Sequence, residues 1–204
     1  MDPRDWDERY RTDELVWRAD PNRFLVEEVE HMPPGRALDL ACGEGRNALW
    51  LAAQGWEVTA VDFSAVGLAK GRRLATERGI RANFVEADVL TWDPPARAFD
   101  LVIVMYLHLL SEDRRRALLR AVTALAPGGT LLVVGHDSTN LSEGTGGPQD
   151  PRVLMSPEEV AADLDGLEIV RAERVRRPVS TEQGERVAID TIVRARLPER
   201  ADLP

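Results

Sequence analysis

The most informative part of the sequence is the run Ala37-Leu38-Asp39-Leu40-Ala41-Cys42-Gly43-Glu44-Gly45-Arg46-Asn47-Ala48. An apolar strand carrying one acid leads here into a turn with two glycines, and an amphipathic helix follows. Gly43 and Gly45 allow the backbone to turn tightly and to approach a ligand closely. The helix after them begins with unpaired amide groups. This arrangement predicts a site for a nucleotide-like cofactor.

A second acid, Asp62, ends the next apolar run, Val58-Thr59-Ala60-Val61, seventeen residues beyond Gly45. An acid at the tip of the second strand is well placed to accept hydrogen bonds from both hydroxyls of a ribose. The glycine spacing by itself leaves the cofactor open, because Gly43-x-Gly45-x-x-Ala48 also satisfies the loose pattern of dinucleotide-binding proteins.

Strand and helix patterns alternate along the chain, which predicts a parallel sheet. Strand one follows Pro33-Pro34-Gly35; the other expected core elements are helices 46–54, 64–78 and 111–124 and strands 56–61, 82–86, 99–104 and 130–135. Two short helices, 4–10 and 21–31, come first. The chain ends with a long loop (136–157), a helix from Pro157 to about Leu164, and strands 167–176 and 186–196. The connector from Pro178 to Glu185 fits an antiparallel hairpin.

Length and composition disfavour several classes of function. The 204 residues suffice for one α/β domain but not for a cofactor domain plus a separate catalytic domain. The net charge of −9 disfavours a nucleic-acid substrate, whose phosphates bind clustered Lys and Arg. The sequence contains no apolar run of membrane-helix length and no basic-then-apolar leader. With Cys42 as the only cysteine, we expect a cytoplasmic protein that binds neither membranes nor nucleic acid.

Five motifs occur in the order found in the class I S-adenosylmethionine-dependent methyltransferases, which the chain resembles. They are Asp39 with Gly43 and Gly45, then Asp62, then Asp88, then Phe99-Asp100-Leu101-Val102, and last Leu125-Ala126-Pro127-Gly128-Gly129. The resemblance implies an α/β fold with a doubly wound, mostly parallel sheet of seven strands in the order 3-2-1-4-5-7-6, the last strand antiparallel. It implies one domain over 1–204, made of a helical cover (1–32), a cofactor-binding core (36–135), a substrate loop (136–157) and a C-terminal helix and hairpin (158–197).

The resemblance also implies S-adenosyl-L-methionine as the cofactor and S-adenosyl-L-homocysteine as its product. By this resemblance Asp62 holds the ribose, and Asp88 receives the adenine amino group with Val89 beside the ring. Gly43 and Gly45 border the methionine portion. Acids suit this donor because it carries a positive sulfonium, whereas phosphates would require amide donors and basic side chains.

Two charged residues of the glycine run have open assignments. Asp39 is expected to hold the glycine loop or the methionine ammonium, and Arg46 to reach a carboxylate of the cofactor or of the substrate. Arg46 would otherwise be an exposed residue in the first turn of its helix. The remaining cofactor contacts that we expect are Ala41, Phe63, Ala87 and Val104.

The resemblance implies that the residues after strand four face the transferring methyl, and the residues after strand five lie at the mouth where a substrate is expected. Tyr106, His108 and His136 are therefore the catalytic candidates, and Asp137 is a candidate for substrate binding. His108 would otherwise pack or cap the following helix, and Asp137 would otherwise stabilise a local turn.

Aromatic residues near the N-terminus are candidates for a lid over the substrate. Trp6, Tyr10 and Trp17 would close over cofactor and acceptor and exclude water, or would only pack their segment on the sheet. Together with residues 41–47 they resemble the small tellurite-resistance and thiol or thiopurine methyltransferases. Pro178 departs from the tellurite group, in which a histidine is expected at about that position.

The function we expect is the transfer of a methyl group to a small molecule by in-line displacement, driven largely by proximity. A thiol, selenium or tellurium acceptor would need no dedicated base, whereas an oxygen or nitrogen acceptor would require one. An NAD(P)-binding oxidoreductase and a catalytically silent cofactor-binding protein remain alternatives. We expect no metal, because no Cys/His cluster has ligand spacing, and a monomer or weak homodimer.

Overall fold

Seven strands form a single sheet in a computed structural model that describes residues 3–12, 14–16, 20–181 and 184–199. Trp17 lies outside the described residues. The strands are β1 (Arg36–Leu40), β2 (Glu57–Asp62), β3 (Asn83–Glu86), β4 (Phe99–Met105), β5 (Leu125–His136), β6 (Glu168–Thr181) and β7 (Gly184–Arg196). Their order is β3-β2-β1-β4-β5-β7-β6, with β7 antiparallel to both neighbours, which confirms the predicted topology.

Apart from α6, the described helices lie at the expected places in the chain. They are α1 (Pro3–Tyr10), α2 (Arg23–Val29), α3 (Arg46–Ala53), α4 (Ala65–Glu77), α5 (Ser111–Ala124), α6 (Asn140–Glu143) and α7 (Pro157–Ala162). The second helix is shorter than the predicted 21–31 because the side chain of Asn22 caps it, accepting a hydrogen bond from the N–H of Phe24. No helix in the described ranges is long and apolar enough to cross a membrane.

Two apolar cores lie on the two faces of the sheet, as expected for parallel strands that are buried on both sides. Successive residues of β4 alternate between them: Val102 and Val104 join the core beneath α5, whereas Leu101 and Ile103 join the core beneath α2 and α3. The uninterrupted apolar run of β4 therefore contributes side chains to both cores.

The C-terminal hairpin differs from its predicted form. β6 continues to Thr181 and β7 begins at Gly184, so the connector is much shorter than the predicted span from Pro178 to Glu185. Pro178 is tolerated inside the strand because β6 is the edge of the sheet, where a missing N–H breaks no pairing on the outer side.

The predicted loop at 136–157 contains structure of its own. Besides α6 it includes a 3₁₀ helix, Pro151–Val153, and a parallel bridge between Asp137 and Met155 closes its base. The segment therefore folds back to the end of β5 and covers the carboxyl edge of the sheet.

Candidate active site

A cavity of about 640 Å³ opens at the carboxyl ends of the parallel strands. Its lining comes from the chain segments that leave those strands: Ala41 after β1, Asp62 at the tip of β2, Tyr106 after β4 and His136 at the tip of β5. Ligands of open α/β sheets bind at this edge, where adjacent connections leave the sheet in opposite directions.

The glycine turn borders the cavity with a left-handed backbone. Ala41, Gly43 and Gly45 have φ angles of 61°, 56° and 80°, and α3 starts directly afterwards. A side chain at Gly43 would lie 2.6 Å from the Tyr10 hydroxyl, and one at Gly45 would lie 2.8 Å from the Phe84 ring. Gly43 lines the cavity, whereas Gly45 does not. Gly45 is therefore required for close packing of the turn on Phe84.

Asp62 ties the glycine turn to the next connection. Its Oδ2 accepts a 2.8 Å hydrogen bond from the N–H of Gly43, and its Oδ1 accepts one of 2.8 Å from the N–H of Ser64. Burial raises the pKa of this carboxyl, although the two backbone N–H groups act in the opposite direction. Each carboxylate oxygen has a second lone pair, so Asp62 retains capacity to accept hydrogen bonds from a ligand in the cavity.

Asp39 lies beneath the turn and does not line the cavity. Burial, and then the charge of Asp62, raise its pKa from 3.8 to about 7, while Arg46 and the N–H of Ala48 lower it. Its Oδ2 has no hydrogen-bond partner among the described residues. Of the two predicted roles, support of the glycine loop fits this position.

Arg46, the first residue of α3, lines the cavity beside the turn. Within the described ranges its guanidinium makes no hydrogen bond or ion pair, and burial lowers its pKa. A half-buried guanidinium that is free on the cavity side is a potential partner for a carboxylate.

The other predicted cofactor contacts, which include the two adenine contacts Asp88 and Val89, divide into two groups. Phe63 and Val89 line the cavity, whereas Ala87, Asp88 and Val104 do not. The Oδ1 of Asp88 accepts a 2.8 Å hydrogen bond from the N–H of Leu90 and so shapes the turn after β3.

Tyr106, His108 and His136 converge in the cavity, although the last is far from the others in sequence. The ring centroids of Tyr106 and His136 are 5.0 Å apart, and the two imidazoles stack with centroids 5.4 Å apart and planes 8° from parallel. Tyr106 has a φ of 57°, a costly conformation for a tyrosine, and its N–H donates a 2.7 Å hydrogen bond to the carbonyl of Val134. Such backbone strain is typical of functional sites.

His108 is neutral near pH 7. Burial, and then the neighbouring His136, lower its pKa from 6.5 to about 4. Its Nε2 is buried without a hydrogen-bond partner among the described residues. His108 therefore offers the cavity an uncharged imidazole.

The sequence reasoning missed Asp190, whose carboxylate lies beside Tyr106 and His136. The hydroxyl of Tyr106 donates a 3.0 Å hydrogen bond to its Oδ2, and Arg177 donates from Nε (2.6 Å) and Nη2 (3.4 Å). His136 Nδ1 lies 3.1 Å from Oδ1. Burial alone would raise the pKa of Asp190, but His136 and Arg177 hold it below its ordinary value. The sequence offered one signal for this residue. Asp190 is an acid at a strand position whose neighbours on the same face, Ala188 and Ile192, are apolar.

Asp137 points away from the cavity because successive residues of a strand face opposite sides. Its fully buried carboxylate accepts hydrogen bonds from the hydroxyls of Thr139 (2.7 Å) and Thr191 (2.7 Å), and from Nε of Arg174 (3.2 Å). This position supports the turn-stabilising alternative for Asp137 and not the predicted substrate contact.

The N-terminal helix covers the cavity beside the glycine turn. The rings of Trp6 and Tyr10 stack with centroids 5.4 Å apart, and both residues line the cavity. Asp7 holds the helix in place, because its Oδ1 accepts a 2.5 Å hydrogen bond from the hydroxyl of Ser64 at the start of α4.

Comparison with known proteins agrees with this architecture. A family model described as a methyltransferase domain matches residues 37–129. A demethylmenaquinone methyltransferase of Thermus thermophilus is 40% identical over 123 residues, which are 59% of this chain and 54% of the relative. The chain thus spans about half the length of that relative.

Two solved structures extend the likeness over almost the whole chain. One, from work on the conversion of a disulfide bond into a thioacetal group during echinomycin biosynthesis, superposes with a TM-score of 0.79 at 22% identity, covering 98% of this chain and 94% of the other. TehB from Haemophilus influenzae superposes with a TM-score of 0.73 at 18% identity, covering 94% of this chain and 65% of the other. At such identities the likeness establishes the fold. The family match includes the glycine turn, so the chain is similar to the class I S-adenosylmethionine-dependent methyltransferases in that region, and it shares the fold of the two solved structures over most of its length.

Proposed function

We propose that this protein transfers a methyl group from S-adenosylmethionine to a small-molecule acceptor bound in the same cavity. The observation that carries the proposal is the continuity of that cavity. The glycine turn and Asp62 border one end, and Tyr106, His108 and His136 border the other. A donor and an acceptor held at these two ends would meet inside one enclosed space.

The residues at the first end fit the chemistry of this donor. Asp62 has lone pairs left for ribose hydroxyls, and Arg46 has a guanidinium free to bind the carboxylate of the methionine portion. Phe63 and Val89 offer apolar contact for a purine ring. When bound, the donor supplies an activated methyl group on a positively charged sulfur.

The protein contributes mainly position and exclusion of water. Holding the attacking atom of the acceptor in line with the methyl group converts a bimolecular reaction into an effectively unimolecular one. Trp6 and Tyr10 cover the donor end and limit the access of water to the cavity. The acidic sum of charges favours a small acceptor over a nucleic acid, whose phosphates would be repelled.

Calorimetry tests donor binding. We expect S-adenosylhomocysteine to bind with a one-to-one stoichiometry and NADH not to bind. Tight binding of NADH without binding of S-adenosylhomocysteine would overturn the proposal in favour of an oxidoreductase.

A second experiment tests turnover. Donor consumption is followed with a thiol, selenite, a phenol and a primary amine as acceptors, and we expect at least one to be methylated. Cofactor binding without turnover on any of them would favour a catalytically silent cofactor-binding protein.

A further inference from the structure

His136 and Asp190 are directly opposite each other in the antiparallel pairing of β5 and β7. Side chains of directly opposite residues lie on the same face of a sheet, here the face that borders the cavity. His136 Nδ1 is 3.1 Å from Asp190 Oδ1. The pairing of two strands, rather than a flexible loop, thus brings an imidazole and a carboxylate together.

The other nitrogen of His136 is available to a ligand. Within the described ranges Nε2 accepts or donates no hydrogen bond, and the residue lines the cavity. The backbone of Gly147 closes over the ring, because a side chain at Gly147 would lie 2.7 Å from Cδ2 of His136. His136 therefore has one nitrogen beside an acid and the other available to the cavity.

Asp190 is itself held rigidly. Tyr106 and Arg177 donate hydrogen bonds to Oδ2. The left-handed backbone conformation of Tyr106 is costly and persists only where the surroundings enforce it. Arg177 balances the charge of Asp190, so the carboxylate stays ionised in a fully buried position.

We propose that His136 is the general base of the reaction, that Asp190 positions its imidazole, and that the acceptor presents an O–H or N–H group. This inference rests on the proposed function and names the acceptor class of the same site. The acceptor proton moves to Nε2 of His136. For an O–H acceptor, the electron pair freed on oxygen forms the bond to the methyl carbon. For a neutral amine, the nitrogen lone pair forms this bond and the N–H proton leaves to Nε2. In both cases the carbon–sulfur bond breaks, and the sulfur keeps the electrons of that bond as a neutral thioether.

The charge balance of the cluster favours this step. Proton transfer creates an imidazolium on His136. The carboxylate of Asp190 lies next to this ring, and the neutral ring of His108 is stacked on it. Among the described residues, the positive groups that line the cavity are Arg9, Arg23, Arg46, Arg78 and Arg177. Of these, Arg177 is paired with Asp190 and Arg23 with Glu27. A thiol would ionise near its ordinary pKa of about 8.5 without such assistance.

The contact between His136 Nδ1 and Asp190 Oδ1 is short but poorly aligned. The ring N–H does not point straight at Oδ1, so the contact is short without being a well-formed hydrogen bond. Catalytic hydrogen bonds are often poorly aligned before substrate binds and tighten in the complex.

The tautomer of His136 provides a test that does not depend on activity. The sequence has only three histidines, so the imidazole nitrogens of ¹⁵N-labelled protein can be assigned by NMR. At a pH where the ring is neutral, we expect the proton on Nδ1 in the wild type. In Asp190→Asn an amide can donate to Nδ1 instead, so the proton should move to Nε2.

His31→Gln is the matched control, because the side chain of His31 is 90% exposed, does not line the cavity, and has only the exposed carboxylate of Glu30 3.4 Å from its Nε2. It should leave the His136 signals unchanged. A wild-type proton on Nε2, or the same tautomer in folded Asp190→Asn, would overturn the assignment of Asp190. If Asp190→Asn does not fold, the inference is tested by the tautomer of the wild type and by the variant His136→Gln.

The second variant, His136→Gln, leaves Asp190 held by Tyr106 and Arg177. We expect kcat with a phenol or a primary amine to fall by about 10²–10⁴-fold, with the affinity for S-adenosylhomocysteine kept within about twofold. A thiol acceptor should lose far less. Equal losses for thiol and phenol would overturn the inference. Failure of the wild type to bind S-adenosylhomocysteine would overturn the proposed function, whereas binding with an Nε2 tautomer would overturn only the base.

Discussion

Lys70 and Glu44 form a buried ion pair in which Nζ lies 3.0 Å from Oε1. Lys70 is the only lysine of the sequence. Its Nζ also donates a 2.7 Å hydrogen bond to the carbonyl of Glu14, and the N–H of Val16 donates one of 3.2 Å to Glu44 Oε1. One ion pair therefore connects α4, the glycine turn and the N-terminal cover.

Replacing Lys70 with Met should destabilise the protein strongly, because it removes the cation 3.0 Å from the buried carboxylate of Glu44. We expect a loss of about 3–5 kcal/mol in the free energy of unfolding, measured by urea denaturation. Arg73→Met is the matched control on the same helix, because its pair with Glu77 is exposed and should contribute at most about 1 kcal/mol. Equal losses in the two variants would contradict this account of the buried pair.

Replacing Asp62 with Ala should weaken binding of S-adenosylhomocysteine by about 1–3 kcal/mol. The variant loses the expected ribose contact and also frees the N–H groups of Gly43 and Ser64. Calorimetry measures the affinity. Asp100→Ala is the control, because Asp100 accepts a similar 2.8 Å hydrogen bond from the N–H of Arg36 at the opposite edge of the sheet. Unchanged affinity in Asp62→Ala would remove Asp62 from its assigned role.

Replacing Gly43 with Ala should reduce donor affinity at least about tenfold, because the new methyl group would lie 2.6 Å from the Tyr10 hydroxyl and displace the cover. Gly79→Ala separates this clash from backbone strain. Gly79 has a φ of 65° and open space around it, so its substitution costs only about 1–2 kcal/mol of conformational energy. Calorimetry with S-adenosylhomocysteine should find unaltered affinity in Gly79→Ala, and a matching loss in both variants would refute the contact with Tyr10.

His108 and Asp39 should affect stability in opposite directions as the pH changes. Burial lowers the pKa of His108 from 6.5 to about 4, so its contribution is complete above pH 6.5 and is lost as the pH falls toward 4. Burial raises the pKa of Asp39 from 3.8 to about 7, so its contribution is complete below pH 3.8 and is lost as the pH rises through 7. Between pH 4 and pH 6.5 the two groups therefore change the free energy of unfolding in opposite directions.

Urea denaturation between pH 4 and pH 8 separates the two groups. Relative to the wild type, Asp39→Asn should gain stability as the pH rises from 4 to 7, and His108→Gln should gain it as the pH falls from 6.5 to 4. Each slope approaches about 1.4 kcal/mol per pH unit inside its window. Variants whose stability curves run parallel to that of the wild type would contradict both assignments.

Much of the fold could be predicted because its signals are local. The apolar run before Gly43, the acid at the tip of β2 and the alternation of strand and helix patterns each depend on residues within one or two elements. The strand order required the family resemblance, and the structure confirms it. The hairpin connector was predicted too long because Pro178 was read as a strand end, whereas an edge strand accepts it.

The sequence by itself determined the class of fold, the position of the glycine turn and several of the side chains that line the cavity. Only the tertiary structure decided which of these side chains meet. Asp190 lies beside His136 because β7 pairs with β5 in one particular register, and a shift by one residue would turn it away from the cavity. Asp137, adjacent to His136 in the chain, points to the other face for the same reason. A register between strands more than fifty residues apart follows from the packing of the whole sheet, and no local pattern specifies it.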